Sequence, residues 1–316
     1  MKILFGGNKE RGALCLKALH AKGHQIVGVL AHPSNGKLPP KGGLIELARQ
    51  LNLPVYQPSD VNDPEVVESF RKLRPDLIVL AGYGPIINEN VIAVAPKGSI
   101  NLHGGKLPQI RGSSPMNWAM INNRKEFTLS IIQVDKGVDS GEVLLDKTFK
   151  IRPGDTIADL DRTASEAFPK MLIEVVGRLE KGRVRGRKQN PKLSAYYPLR
   201  FPDDGFIVWD MFTAEQIHNR IRALTDPYPC AFTYFQRRKI GLPASRLTSR
   251  PFYGEPGRIY RTSDSSLLVA ASDRCLWIDR PIFEDTRESA ILAVKRYDKF
   301  PTMRDAVAIL YGLGDR

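Results

Sequence analysis

Residues 76–105, DLIVLAGYGPIINENVIAVAPKGSINLHGG, hold the centre of the predicted fold. The segment begins and ends with an apolar run, DLIVLAGYG at 76–84 and GSINLHGG at 98–105. Neither run alternates apolar and polar residues, so each predicts a strand that is covered on both faces. Strands of this kind belong to parallel sheets, because the connecting helices pack on both faces. The segment therefore predicts an α/β fold.

The same alternation extends to both sides of this segment. In PEVVESFRKLR at 64–74, apolar residues recur with the i, i+3, i+4 spacing of an amphipathic helix. Short strands that alternate with helices predict a Rossmann-like domain with a mostly parallel sheet over residues 1–184. Further predicted elements are strands at 2–6, 25–31, 53–58, 128–134 and 141–151, and helices at 44–52 and 155–182.

The composition changes after residue 184. Residues 185–200 begin with a basic stretch that has no apolar periodicity, which predicts a linker. Residues 201–316 contain a helical pattern at 213–224 and then four short strand-like segments: CAFTYF, GRIYRT, SLLVAA and CLWIDRP. Turn residues separate these segments, and this spacing predicts a smaller, OB-like C-terminal β-barrel domain.

The chain is strongly basic, with a formal net charge of +13. Such an excess suits a polyanionic partner: RNA, a nucleotide diphosphate or a polyglutamylated folate. Charge alone does not choose among these partners, and a solvated basic surface without a partner stays an alternative.

Other features exclude several classes of protein. No apolar run approaches the roughly 18 residues that a membrane helix needs. The N-terminus lacks the apolar stretch and the cleavage site of a signal peptide. We therefore expect a cytoplasmic protein without a membrane partner. Cys15, Cys230 and Cys275 form no CxxC pair, so we expect no zinc site or disulfide framework.

Two polar side chains stand out at the end of the strand at 98–105. Asn101 and His103 are two residues apart, so both side chains point to one face. The carboxyl ends of parallel strands form the crevice in which α/β sheets bind ligands. A buried amide and imidazole need partners there. The pair is a candidate catalytic site, with a purely structural Asn-His pair as the alternative.

A second polar segment, DKGVDSGEVL at 135–144, follows a predicted strand. Asp135 and Asp139 flank a turn in which Gly137 permits unusual backbone angles. A carboxylate beside the same crevice could orient His103 or hold a reactive water. An acidic turn without catalytic function is the alternative at this stage.

Together, NLHGGKLPQIRG and VDKGVDSGEVL resemble the signature of the folate-dependent formyltransferases. This family includes enzymes that act on methionyl-tRNA, on glycinamide ribonucleotide and on nucleotide sugars. The resemblance implies Asn101, His103 and Asp139 as catalytic residues. Lys106 departs from the leucine that the family usually has in the loop, whereas Leu107, Pro108, Arg111 and Gly112 fit it.

The resemblance also implies the cofactor, 10-formyltetrahydrofolate, with tetrahydrofolate as the product and no metal. An amine would attack the formyl carbon, and Asn101 and protonated His103 would stabilise the oxyanion that forms. His103, or a water held by Asp139, would then accept the amine proton. The implied cofactor-binding residues are Gly82, Tyr83, Gly84, Ile86, Leu107, Pro108, Asp135 and Gly137.

The identity of the amine is a separate question with two main answers. The loop HPSNGKLPPKGG at 32–43 holds only Lys37 and Lys41, fewer charges than a loop that enters a tRNA acceptor stem should carry. The Asn117-Trp118 pair, RFPDDGFIVWD and DPYP are similar to the formyltransferase domain that acts on UDP-linked 4-amino-arabinose. The predicted substrate-binding residues are Arg111, Asn117, Tyr196 and Arg200.

We therefore expect a UDP- or dTDP-linked 4-amino-4,6-dideoxyhexose as the substrate, for surface glycan synthesis. The alternative is initiator methionyl-tRNA, which the basic QRRKIG segment at 236–241 could contact, although this segment also suits a solvated hairpin turn. The intact catalytic trio disfavours a third possibility, an RNA-binding module without catalysis. The sequence does not decide the oligomeric state, and a homodimer is one alternative.

Overall fold

The structure is a computed structural model that describes residues 1–33 and 43–310. Most of the predicted 32–43 loop, with Lys37 and Lys41, lies outside the described residues. In the described part of the chain, no helix is long and apolar enough to cross a membrane. The predicted cytoplasmic location stays a prediction.

The chain contains sixteen named strands and eight named α-helices among its described residues. In chain order they are β1 Lys2–Gly7, α1 Lys9–Ala21, β2 Gln25–Leu30, α2 Leu44–Gln50, β3 Val55–Tyr56, α3 Pro64–Leu73, β4 Leu77–Ala81, α4 Glu89–Ile92, β5 Ser99–His103, β6 Arg111–Gly112, α5 Pro115–Ile121, β7 Glu126–Gln133, β8 Val143–Lys150, α6 Ile157–Glu180, β9 Tyr196–Tyr197, α7 Ala214–Ala223, β10 Ala231–Phe235, β11 Arg238–Leu242, β12 Ala244–Leu247, β13 Ile259–Thr262, β14 Ser266–Ala270, β15 Cys275–Asp279, β16 Ile282–Phe283 and α8 Met303–Leu310.

The chain forms two compact units. The first comprises Met1–Pro115, Glu126–Lys150 and Asp161–Pro198. Its seven-stranded sheet has the order β3-β2-β1-β4-β5-β7-β8. The first five strands are parallel, and β7 and β8 add an antiparallel edge. The predicted α/β class with a mostly parallel sheet is confirmed.

Local sequence explains why these elements form where they do. Every residue of β4 is buried, as its unbroken apolar run predicts. Helix α3 begins at Pro64, where the missing N–H of proline costs nothing, and Asp63 accepts hydrogen bonds from the backbone nitrogens of Glu65 and Val66. Strand β4 pairs in parallel with β5, with Leu80 opposite Asn101.

The second unit comprises Met116–Lys125, Ile151–Leu160 and Leu199–Arg316. Its strands form two antiparallel sheets, β10-β11-β16 and β12-β15-β14-β13, and β11 continues into β12 across Pro243. A C-terminal domain of antiparallel strands is therefore confirmed. The predicted boundaries 1–184, 185–200 and 201–316 stay a prediction. The two units are each made of three separate segments, so they do not correspond to these continuous ranges.

The basic QRRKIG segment contains a turn and the start of a strand, and its charges had not suggested a strand. Gln236 and Arg237 form the turn, with φ angles of 48° and 65°, and β11 begins at Arg238. The Arg238 guanidinium lies 3.5 Å from the centroid of the Phe283 ring, and the Lys239 ammonium lies 4.0 Å from that of Phe232. Both cations cover aromatic rings of the sheet, so a charged segment can still be a strand.

Trp209 anchors the core of the second unit. Its side chain is fully buried, its Nε1 donates to Thr233 Oγ1 at 3.0 Å, and its ring stacks on Phe300 with centroids 5.4 Å apart. Core packing therefore explains this tryptophan without any contact to substrate.

We expect Trp209→Ala to lower the free energy of unfolding by about 3–5 kcal/mol, because it empties a large buried volume. Urea titration followed by circular dichroism would measure the loss. Leu292, which is 92% exposed, supplies the control: Leu292→Ala should change stability by no more than about 0.5 kcal/mol. Equal effects of the two substitutions would contradict this account of the core.

Candidate active site

A cavity of about 440 Å³ opens at the carboxyl ends of β4 and β5. Its walls come from residues 80–87, 101–103, 112–113 and 132–140. Nine of the predicted site residues line it: Gly82, Tyr83, Gly84, Ile86, Asn101, His103, Asp135, Gly137 and Asp139.

Leu107 and Pro108, predicted to bind the cofactor, are not among the residues that line the cavity. Leu107 is 4% exposed and packs with Ile132 and Val143 in a small buried cluster. Its side chain is used in packing, so the geometry gives it a supporting role rather than direct contact with a ligand.

Asp139 brings the predicted trio together. Its Oδ1 lies 3.4 Å from Asn101 Nδ2, and its Oδ2 lies 3.4 Å from His103 Nδ1. The same Oδ2 accepts the backbone N–H of Gly112 at 2.9 Å. The carboxylate is 11% exposed, so these contacts act with little screening by water. Asn101 and His103, which are neighbours on one strand, thus form one connected group with Asp139, which lies 38 residues from Asn101.

His103 is held from both sides of its ring. Its side chain is 5% exposed, and Nε2 lies 2.7 Å from the carbonyl oxygen of Ile110. A carbonyl oxygen only accepts, so Nε2 carries a hydrogen. Nδ1 faces the carboxylate of Asp139, which also only accepts. A ring protonated on both nitrogens satisfies both neighbours, so this site suits a histidine that donates.

The loop at 135–141 has a defined shape. Asp135 Oδ1 accepts from the Gly137 nitrogen at 3.0 Å and from Ser140 Oγ at 2.6 Å. A Cβ at Gly141 would lie 1.8 Å from the carbonyl oxygen of Gln133, so no side chain fits there. Asp139 itself adopts a left-handed φ of 50°, which aspartate tolerates better than most residues. The loop therefore turns the Asp139 carboxylate inward.

Gln189 supports this loop, and sequence analysis missed it. Its Nε2 donates to the carbonyl oxygens of Asp139 and Gly141 at 2.8 and 2.7 Å. Its Oε1 accepts from Arg111 Nε and Nη2 at 3.1 and 2.8 Å. The only available signal was an uncharged amide within a basic segment, 50 residues from Asp139. Nothing in local sequence links the two.

Arg111 is buried, with 5% exposure. Besides Gln189, it donates from Nη1 to the Tyr196 hydroxyl at 2.9 Å, and its guanidinium lies 5.5 Å from the centroid of that ring. Three of its N–H groups are thus used within the protein. The geometry supports positioning of Gln189 rather than the predicted contact with substrate.

Asn117 also differs from its predicted role as a substrate ligand. It is 4% exposed, and its Nδ2 donates to the carbonyl oxygen of Ala223 at 2.8 Å. This amide joins α5 to the end of α7 within the second unit, so it is a structural group. The other two predicted substrate residues are more accessible: Tyr196 is 59% exposed, and Arg200 is partly buried.

The wall formed by residues 82–87 has the features of a ligand site. The Tyr83 hydroxyl is buried without a hydrogen-bond partner among the described residues, and burial raises its pKa. Ile86 and Val138 are 73% and 44% exposed at the cavity, although both are apolar. A flat ring with polar edges would cover these side chains and satisfy the hydroxyl. The residues present therefore fit a pterin.

His32 positions the same wall and was not predicted. Its Nε2 accepts the backbone N–H of Gly84 at 3.0 Å, and its ring meets Tyr83 edge-on with centroids 5.6 Å apart. Burial lowers the pKa of His32, which favours the neutral ring that this hydrogen bond requires.

Comparison with known proteins shows the family of this chain. Residues 1–176 match the family described as "Formyl transferase", and residues 201–294 match "Formyl transferase, C-terminal domain". The chain is 31% identical over 282 residues to the methionyl-tRNA formyltransferase of Desulfotalea psychrophila, covering 88% of this chain and 87% of that protein. The chain therefore belongs to the formyl transferase family, and the predicted formyltransferase class is confirmed.

Two solved structures share its fold at 18% identity. One is the N-formyltransferase from Helicobacter canadensis in complex with folinic acid and dTDP-3-aminofucose (TM-score 0.69), covering 89% of this chain and 99% of that chain. The other is WlaRD, a sugar 3N-formyltransferase, with dTDP and 5-N-formyl-tetrahydrofolate (TM-score 0.68), covering 89% and 97%. Both of these structures are described with a folate, and at this identity the likeness shows the shared fold.

We expect Gln189→Leu to reduce kcat about 5- to 100-fold and also to raise the KM for the folate, because the loop that Gln189 holds lines the cavity as well as carrying Asp139. The substitution keeps the size of the side chain but leaves two carbonyl groups without their donor, a loss of about 1–3 kcal/mol. Lys188→Ala, at an exposed neighbouring position, is the control and should have wild-type kcat. An unchanged kcat in Gln189→Leu would show that the loop holds its shape without this support.

The His32–Gly84 hydrogen bond predicts a pH dependence of folate binding. Because the folded pKa lies below the ordinary value of 6.5, stability and loop order are lost as pH falls from 6.5 through the folded pKa. His32→Gln retains an acceptor that does not titrate. We therefore measure the Kd for 5-formyltetrahydrofolate in both proteins. As the pH is lowered from 7.5 to 5.5, the Kd of the wild type should rise relative to the Kd of His32→Gln. If the Kd values of the two proteins change with pH in the same way, the His32–Gly84 hydrogen bond does not control folate binding.

Proposed function

We propose that this protein transfers the formyl group of 10-formyltetrahydrofolate to the amine of a nucleotide-linked amino sugar. The observation that carries the reaction type is the contact of Asp139 with both Asn101 and His103 at the edge of the cavity. A carboxylate, an imidazole and an amide in this arrangement supply what acyl transfer to nitrogen needs: two donors and one group that orients them.

The 82–87 wall and the 135–141 loop would hold the folate. Tyr83 offers its unpartnered hydroxyl, Ile86 and Val138 offer apolar surface, and the loop offers backbone groups. When bound, the folate supplies an activated formyl group. The protein does not need to activate that group by a covalent bond of its own.

Asn101, His103 and Asp139 have distinct roles in this proposal. Asn101 donates a hydrogen bond from Nδ2 to the formyl oxygen, and protonated His103 donates a second from Nε2, which exchanges the carbonyl oxygen of Ile110 for the formyl oxygen. Each such donor contributes about 3–4 kcal/mol at a site that excludes water. Asp139 holds both donors and balances the charge of the imidazolium ring. The proton that the attacking amine loses passes to a water next to Asp139, because the protonated ring of His103 has no free nitrogen to accept it.

The sugar rather than tRNA is proposed on two grounds. The 32–43 loop carries only Lys37 and Lys41, too few cations for a loop that follows nucleic-acid phosphates. The structures with TM-scores of 0.69 and 0.68 belong to proteins described with dTDP-3-aminofucose and as a sugar 3N-formyltransferase. Their identity of 18% supports the fold, and the substrate class is inferred from them by analogy.

Methionyl-tRNA is the second candidate, and two observations favour it. Relatives at 31% and 32% identity, covering 88% and 85% of this chain, are described as methionyl-tRNA formyltransferases. The net charge of +13 would also suit a nucleic-acid substrate.

A direct assay separates the two candidates. Purified protein and 10-formyltetrahydrofolate are incubated with a panel of UDP- and dTDP-linked amino sugars or with charged initiator tRNA. We expect formylation of at least one sugar at a rate at least tenfold above that of the tRNA. Formylation of the tRNA with no sugar turned over would refute the proposed substrate.

The same assay includes His103→Ala, which should lower kcat by about 10²- to 10⁴-fold and leave folate binding nearly intact. His20→Ala is the control. His20 is exposed and does not line the cavity, so this variant should retain wild-type rates. Retained turnover in His103→Ala would contradict the catalytic role.

A further inference from the structure

Two arginines of the second unit lie against aromatic rings rather than carboxylates. The Arg200 guanidinium carbon is 4.9 Å from the centroid of the Trp118 ring, and that of Arg220 is 3.9 Å from the centroid of the Phe212 ring. Among the described residues, neither guanidinium forms an ion pair. Both side chains are partly buried. Their positive charges are therefore only partly hydrated.

Arg200 has unused hydrogen-bonding capacity. Its Nη2 donates to the carbonyl oxygen of Asp204 at 3.0 Å, but its Nε is buried and has no partner among the described residues. A buried donor without an acceptor destabilises a folded protein, because it has lost its hydrogen bonds to water. Such a donor persists where an acceptor arrives with a ligand.

The two charges also affect each other. Burial lowers the pKa of Arg200 and of Arg220, and the charge of Arg200 lowers that of Arg220 further. Asp204 is the acidic group that opposes this effect at Arg200, and its Oδ2 already accepts the Phe201 N–H at 2.7 Å. Two neighbouring cations with one occupied carboxylate leave a local excess of positive charge.

We propose that Arg200 and Arg220 form a binding site for the diphosphate of a nucleotide, with Trp118 holding the Arg200 guanidinium in place. A guanidinium binds phosphate oxygens through two parallel N–H groups, and two guanidiniums match the charge of a diphosphate. The stacked rings fix both side chains in advance, so little conformational entropy is lost on binding. That this diphosphate belongs to a nucleotide rests on the proposed function, in which the substrate is a nucleotide-linked sugar.

The site suits a small anion better than the backbone of RNA. Proteins neutralise RNA phosphates mainly with exposed lysines and arginines along a surface. Arg200 and Arg220 are partly buried, and their charges are near enough to act on each other, which suits a site for a compact anion. RNA binding is therefore an outcome that the test must be able to reveal.

The test measures nucleotide binding to the full-length protein by isothermal titration calorimetry, with UDP, dTDP and pyrophosphate as probes. Arg200→Gln and Arg220→Gln should each weaken binding of UDP or dTDP at least tenfold. Arg220→Lys keeps the charge but loses the paired N–H groups, so its affinity should lie between those of the wild type and Arg220→Gln. Near-ultraviolet circular dichroism, which reports the buried Trp209, checks that the second unit is folded.

Arg246→Gln is the matched control. Arg246 also lies over a tryptophan, 4.8 Å from the centroid of the Trp277 ring, but it is paired with Asp279 at 3.2 Å. Its charge is already balanced, so the substitution should leave UDP and dTDP binding unchanged. Binding of 5-formyltetrahydrofolate should be unchanged in all four variants.

The outcomes separate this inference from the proposed function. If no sugar is formylated but UDP, dTDP or pyrophosphate binds and depends on both arginines, the phosphate site stands and the proposed substrate fails. If a sugar is formylated but folded variants bind UDP and dTDP as the wild type does, the phosphate site is refuted. Loss of binding to a short RNA duplex in these variants, with no nucleotide bound by the wild type, would also overturn it.

Discussion

The carboxylate of Asp139 is the group on which the organisation of the active site depends. It contacts the amide of Asn101 and the ring of His103, which come from one strand, and the backbone of Gly112, which comes from another. A single small group therefore sets the distance between the two donors. Because the carboxylate is nearly buried, each contact is stronger than it would be in water. Catalysis that relies on preorganised donors requires this kind of rigidity.

The position of that carboxylate is costly and needs support. A left-handed backbone costs about 1–2 kcal/mol for most residues and less for aspartate, whose side chain can bond locally. At Asp139 the support comes from Gln189, which holds the loop from outside, and from Arg111, which holds Gln189. A buried arginine in the signature loop thus acts on the catalytic group through an amide. Its charge is used for positioning inside the protein.

The basic character of the chain has a partial explanation in the second unit. Arg238 and Lys239 cover Phe283 and Phe232 and also pair with acidic side chains at 3.0 and 2.7 Å. Such cations are part of the sheet and are not available to a polyanion. Arg200 and Arg220 differ because rings hold them and, within residues 1–33 and 43–310, no carboxylate forms an ion pair with them. Net charge alone could not distinguish the two kinds of cation, since it counts groups without their neighbours.

Sequence was sufficient for the α/β fold and for placing Asn101 and His103 on one face of a strand, because strand periodicity and the two-residue spacing are local properties of the chain. Asp139 was implied by the resemblance to the formyltransferases and not by any local pattern. It was insufficient for His32 and Gln189, whose roles come from hydrogen bonds across 52 and 50 residues. The sequence also did not predict that Arg111 and Asn117 are buried. An arginine or asparagine in a signature loop can face a ligand or the core, and only the packing around it decides which.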